Sequence, residues 1–191
     1  MTLPSGPAAD LHQYLQQGRD AMLRALDGLS EYDARRPVVA SGTNVLGLVK
    51  HLAGIELGYL VECVGRPAPT LPWNEDGSVW EGGDMWALPT ESREDVVGLY
   101  REAWALADAS LAEVALDAPA TVPWWPEERR VTTFGHLVIR CVAETAQHAG
   151  HADILRETID GRGGGDHDDM GGADWWDSYV GRIQAAADTF R

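Results

Sequence analysis

Residues 134–161 read FGHLVIRCVAETAQHAGHADILRETIDG. Within them Leu137, Cys141, Glu144, His148, His151 and Leu155 recur at spacings of four, three, four, three and four. That period is the stripe a helix turns toward its bundle partners. Thr133 stands where an N-cap is expected, and Gly161 where a helix closes, so the segment reads as one helix over about 134–159. The centre of the stripe is polar. At about 100° per residue, His148 lies ~40° around the axis from Glu144 and His151 ~20° the other way. Three side chains of metal-ligand type therefore project from one inward face.

Working outward, the same period recurs. Leu11, Leu15, Met22, Leu26 and Leu29 predict a first helix over 10–29. Ser41 or Thr43 is the expected cap of a second, running to about Cys63, in which Leu48, His51 and Ile55 share a seam. Ser92 followed by Asp95 resembles a capping box and starts a third helix reaching about Leu116. A last amphipathic helix is expected over 175–190. Between them lie the stretch 69–89, with Trp73, Trp80 and Trp86; the stretch 119–126, with Trp124 and Trp125; and the Gly- and Asp-rich run 161–172. All three read as loops, the first as a long ordered one, since loops of that length are usually functional or disordered and tryptophan argues against disorder. No repeat and no persuasive strand is evident. Helices joined by loops make the chain an all-α bundle with long Trp-rich loops and an additional C-terminal helix.

The chain has 191 residues, which favours a single domain over 1–191 with a core of its own. Fifteen basic and 30 acidic residues leave a net charge of −15. That charge disfavours phosphate backbones and anionic lipid, so neither nucleic acid nor membrane is an expected partner. No apolar run approaches the ~20 residues of a membrane span. With two cysteines, Cys63 and Cys141, and no signal-like N-terminal stretch, a cytoplasmic protein without disulfides is expected.

An unpaired carboxylate in a core is costly and should be neutralised, paired or metal-bound. A metal accounts for Glu144, His148 and the seam residue His51 together, because bundle metal sites are built from inward side chains on facing helices. A buried Glu144–His148 pair, a hydrogen-bonded core His51 and a His151 at an open bundle end account for them separately. Periodicity does not choose between the two readings.

The segments SGTNVLGLVKHLAGIELGYL (41–60) and HLVIRCVAETAQHAGHADILRETIDG (136–161) resemble the DinB-like superfamily. They are similar to its actinobacterial branch, which contains mycothiol-dependent maleylpyruvate isomerase and mycothiol S-transferases. WWDSYVGRI (175–183) looks like the last helix of that branch. The likeness is weakest across 67–89 and 161–172. It implies a four-helix bundle holding a divalent metal through a histidine of the second helix, matched by His51, and two residues four apart on a later helix, matched by Glu144 and His148. Gln147 rules out an H-x3-H pair ending at His151. His151 then falls beside the ligands or on the substrate side, as proton acceptor or to position the electrophile.

Two imidazoles and one carboxylate leave a coordination position open, the arrangement of a catalytic site. The set suits zinc first, with nickel, iron or manganese compatible. An open divalent ion deprotonates a bound thiol, polarises a carbonyl or activates water. The resemblance implies the first, with a mycothiol-like thiol as co-substrate for S-transfer to, or isomerisation of, a small electrophile. A monomer or a homodimer is expected. Two other functions fit the same residues: a non-catalytic metal- or ligand-binding bundle, and metal-assisted hydrolysis or rearrangement in a biosynthetic pathway. Cys141, on the apolar seam, reads as inert packing, and Cys63, beside Glu62, has no reason for a lowered pKa. The loop tryptophans either wall a pocket above the metal or plug the loops onto the bundle. Arg129, Arg130 and Arg140 either meet an anionic substrate or form a solvated face.

Overall fold

A computed structural model describes residues 5–165 and 167–191, with the side chains of 167 and 168 outside the description. Helix α1 spans Pro7–Leu26, with Pro7 in its first turn where no backbone donor is needed. The helix expected over 10–29 stops there, because Gly28 turns the chain at φ 75°. Ser30 then caps a short α2, Glu31–Arg35, its Oγ accepting from the Asp33 N–H at 3.0 Å. Helix α3 is Val45–Glu56. Its cap is Asn44 rather than Ser41 or Thr43, whose hydroxyls bond to each other at 2.7 Å. Asn44 Oδ1 instead accepts from the Gly47 N–H at 2.8 Å.

Beyond Glu56 the chain continues as a π-turn, Leu57–Val61, and a 3-10 turn, Glu62–Val64, and ends at Gly65 in the left-handed region. Inside the expected loop 69–89 lie a one-turn helix α4, Pro72–Glu75, and a 3-10 turn, Ser78–Glu81. Helix α5, Arg93–Glu113, carries the full capping box between Ser92 and Asp95. Pro119–Thr121 (β1) and Val131–Thr133 (β2) pair antiparallel, with Ala120 opposite Thr132. This hairpin was not expected, since three-residue strands are too short to show alternation. Helix α6, Phe134–Asp160, is capped by Thr133 and closed by Gly161 at φ 78°, as its sequence pattern predicts.

The core is the bundle of α1, α3, α5 and α6, with α1 against α6 and α3 against α5. The α1–α6 crossing is close: a Cβ on Gly18 would stand 2.8 Å from Thr145 Cγ2. Leu46, Leu52, Leu57, Tyr100 and Phe134 are fully buried between the helices. Asp166 lies outside the described residues. Residues His167–Met170 form a one-turn helix, α7, and Ala173–Asp188 form α8. Helix α8 buries no residue; its Val180 and Ile183, and Phe190 beyond its end, are exposed. Among the described residues, no helix is long and apolar enough to cross a membrane.

Candidate metal centre

The middle of α6 and the middle of α3 meet where both carry polar side chains. His51 Nε2 is 3.7 Å from Glu144 Oε1, and His148 Nε2 is 3.5 Å from the same oxygen. The His51 and His148 rings stand edge to face at 5.0 Å between centroids. One ligand atom from each of His51, Glu144 and His148 lies within 4.8 Å of the others. The two contacts to Glu144 are longer than the ~3.2 Å limit of a good N–H···O bond. The His148 contact falls within, and the His51 contact just beyond, the ~3.3–3.6 Å edge of a tetrahedron whose metal–ligand bonds are ~2.0–2.2 Å. The donor set and its spacing therefore fit a divalent ion. Each of the three side chains keeps some exposure, so the group opens to solvent and is not sealed in the core.

Both rings are held from behind. His51 Nδ1–H donates to Asp84 Oδ2 at 2.6 Å, leaving the Nε2 lone pair directed at the centre. Carboxylate–histidine pairing of this kind fixes the tautomer and orientation of a metal-binding imidazole. On the other ring, His148 Nδ1 faces His151 Nδ1 at 3.5 Å, the outer limit of a hydrogen bond. His151 itself is exposed, on the solvent side of the group. Burial, then the neighbouring His51 ring, holds the His148 pKa below its ordinary value, with Glu144 opposing. A neutral imidazole is the form a metal takes up.

Asp84 is the residue that sequence reasoning missed, and α3 explains how it reaches His51. Asn44 Nδ2 donates to Met85 O at 3.3 Å, and Lys50 Nζ donates to Trp86 O at 3.1 Å and to Glu91 Oε2 at 2.9 Å. Gly47 makes the approach possible, since a Cβ there would fall 1.8 Å from Met85 O. These contacts clamp the loop immediately after Asp84 onto α3. Asp84→Ala is expected to weaken metal binding ~10–100-fold while the metal-free protein melts unchanged. Competition against a chromophoric chelator measures this, and an unaltered affinity would detach Asp84 from the centre.

A cavity of about 550 Å³ adjoins His51 and Asp84. Its floor is formed by Gly54 of α3 and Gly58 of the π-turn, which carry no side chain. Its walls include Trp73, Trp80 and Trp124, so these three line a pocket, as one reading of the tryptophans had it. Trp73 is buried whereas Trp80 is 78% exposed at the mouth. The π-turn turns Tyr59 so that its hydroxyl accepts from both Trp124 Nε1 and Trp125 Nε1 at 3.2 Å. That pair of bonds ties the 119–126 loop to the π-turn. Both cysteines are buried and held as thiols: burial, assisted by Glu62, pushes Cys63 up to about 12, and burial holds Cys141 well above its ordinary value.

Fold and centre together define a DinB-like helical bundle bearing a two-imidazole, one-carboxylate group that can bind a metal. The chain belongs to the mycothiol-S-transferase family: the model of that family, MST, matches residues 10–161, from α1 to the end of α6. A search of curated proteins found no match.

Proposed function

We propose that the protein is a metal-dependent enzyme that transfers a mycothiol-like thiol to a small electrophile, or uses the thiol to isomerise one. The observation that carries this is the convergence of His51 Nε2 and His148 Nε2 on Glu144 Oε1 beside a ligand-sized cavity, in a chain of the mycothiol-S-transferase family. His51, Glu144 and His148 would hold the ion, for which zinc is the first choice by donor type. When bound, a divalent ion supplies the positive charge that keeps a thiol deprotonated at neutral pH. Asp84 keeps the His51 ring in its ligand tautomer. His151, exposed next to His148, takes up the thiol proton and passes it to solvent. The aromatic walls of the cavity hold the body of the thiol and keep water off the sulfur.

The test is turnover of mycothiol with iodoacetamide by the metal-loaded protein. A rate above the uncatalysed one, abolished by chelation and restored by zinc, is expected. His151→Ala should retain metal and lower the rate ~10²-fold or more, the usual size of a general-base effect. Metal binding without any effect of thiol would make the bundle a binding protein. Product formed from water without thiol would make it a hydrolase.

A further inference from the structure

A second cavity, of about 490 Å³, opens at the N-terminal end of α6 and is lined by Trp125, Glu128, Arg129, Thr132, His136 and Arg140, with Val131. Arg140 is its distinctive member. Its guanidinium lies over the Tyr59 ring at 4.9 Å and near the Trp125 ring at 5.8 Å. Its Nε is buried with no hydrogen-bond partner. Its one ion-pair contact is Nη2 to Glu144 Oε2 at 3.9 Å, too long for a hydrogen bond. Arg19, Arg93 and Arg156, by contrast, each donate to protein oxygens at 3.0 Å or less. Arg140 is thus fixed by ring faces and, among the described residues, left with no acceptor for its donors.

A planar guanidinium held in this way is prepared for a planar partner with two oxygens. Arg129 adds a second positive charge to the same cavity and Glu128 removes one, while the positive end of α6 adds to the field. The lining therefore carries one net positive charge, with Glu144 beyond it at 3.9 Å from Arg140, in a chain of net charge −15. Arg140 is one helical turn before Glu144, so an anion on its free edge sits alongside the candidate metal centre and not at a remote surface. We propose that this cavity is a carboxylate-binding subsite anchored by Arg140, and that it selects electrophilic substrates carrying a carboxylate near the reacting carbon. The choice of electrophile rests on the S-transfer reading; the carboxylate subsite does not.

For a haloacetate the step balances simply. The thiolate sulfur attacks the methylene carbon, the C–S bond forms as the C–I bond breaks, iodide leaves with the bonding pair, and the thiol proton goes to solvent through His151. Two measurements test the proposal. Metal-stripped protein is titrated with benzoate and with its neutral counterpart benzamide, followed by calorimetry. Benzoate is expected to bind at least 10-fold more tightly. Arg140→Gln should erase that preference, whereas Arg101→Gln, an exposed charge on α5, should leave it intact. Equal binding of the two probes, or a preference that survives Arg140→Gln, would overturn the subsite. The metal-loaded protein is then given mycothiol with iodoacetate or iodoacetamide. Arg140→Gln is expected to lower kcat/KM for iodoacetate at least 10-fold, mainly through KM, and to spare iodoacetamide. If both reagents are turned over and lose rate equally, the subsite plays no part in selecting the electrophile. If neither is turned over while the benzoate preference holds, the S-transfer reading fails and the carboxylate subsite stands.

Discussion

Arg19→Met is expected to lower the melting temperature by roughly 6–20 °C, from a loss of ~3–5 kcal/mol in a chain of this size. Arg19 and Glu56 are both fully buried, and their side chains meet as two parallel bonds, Nε to Oε1 at 3.0 Å and Nη2 to Oε2 at 2.5 Å. Arg19 Nη1 also reaches Asp108 Oδ1 at 2.8 Å. Burial works against the Arg19 cation, but the Glu56 and Asp108 carboxylates outweigh it and hold its pKa above the ordinary value. Burial lifts the Glu56 carboxyl, with Arg19 pulling it back. Glu56 therefore depends on Arg19 for its charge, and methionine would leave a carboxylate without a counter-ion in the core. The double variant Arg19→Met/Glu56→Leu should recover most of the loss, because an apolar replacement of a whole buried pair is often neutral or better. Chemical denaturation of the two single variants and the double variant gives the coupling energy. Single variants that cost no more than ~1 kcal/mol would show the pair to be as weak as a surface bridge.

The helices were legible because each carries its own period or cap. Glu144 and His148 could be placed on one face of α6 from spacing alone, and the Ser92–Asp95 capping box was visible as a local pattern. The resemblance supplied what periodicity lacked, a reason to bring His51 of another helix to the same point. Arg19 leaves a trace in the sequence: it fills the gap between Leu15 and Met22 on the inward stripe of α1, at the spacing a core residue would have. Asp84 left almost none. It reaches His51 across 33 residues of chain, and only because Asn44, Gly47 and Lys50 pin the loop to α3. Contacts of that kind depend on the absence of a Cβ and on a few backbone carbonyls, which hydrophobic patterning does not encode. The π-turn that directs Tyr59 at Trp124 and Trp125 is invisible for the same reason, since its residues read as an ordinary continuation of α3.

Glu144→Gln and His148→Ala are each expected to abolish stoichiometric metal binding without unfolding the bundle. Glu144 is the point on which both imidazoles converge, and glutamine keeps its volume while removing the negative charge that offsets a divalent cation. His148 supplies one of only two imidazoles in the group; its side chain is mostly buried, so His148→Ala also costs some packing, whereas glutamine fills the space of Glu144. A ligand that binds only the native state adds ~4 kcal/mol when present at 1,000 times its dissociation constant. For a chain of this size that corresponds to roughly 8–16 °C in melting temperature. Chelation should therefore lower the wild-type transition by that amount and leave both variants unmoved. Elemental analysis gives the stoichiometry, and circular dichroism separates loss of metal from loss of fold. A variant that keeps one metal per chain and still melts earlier with chelator would move the ion elsewhere. Glu144, His148 and His51 would then return to being a hydrogen-bonded polar cluster at the open side of the bundle, with Asp84 ordering a ring that has no ion to hold.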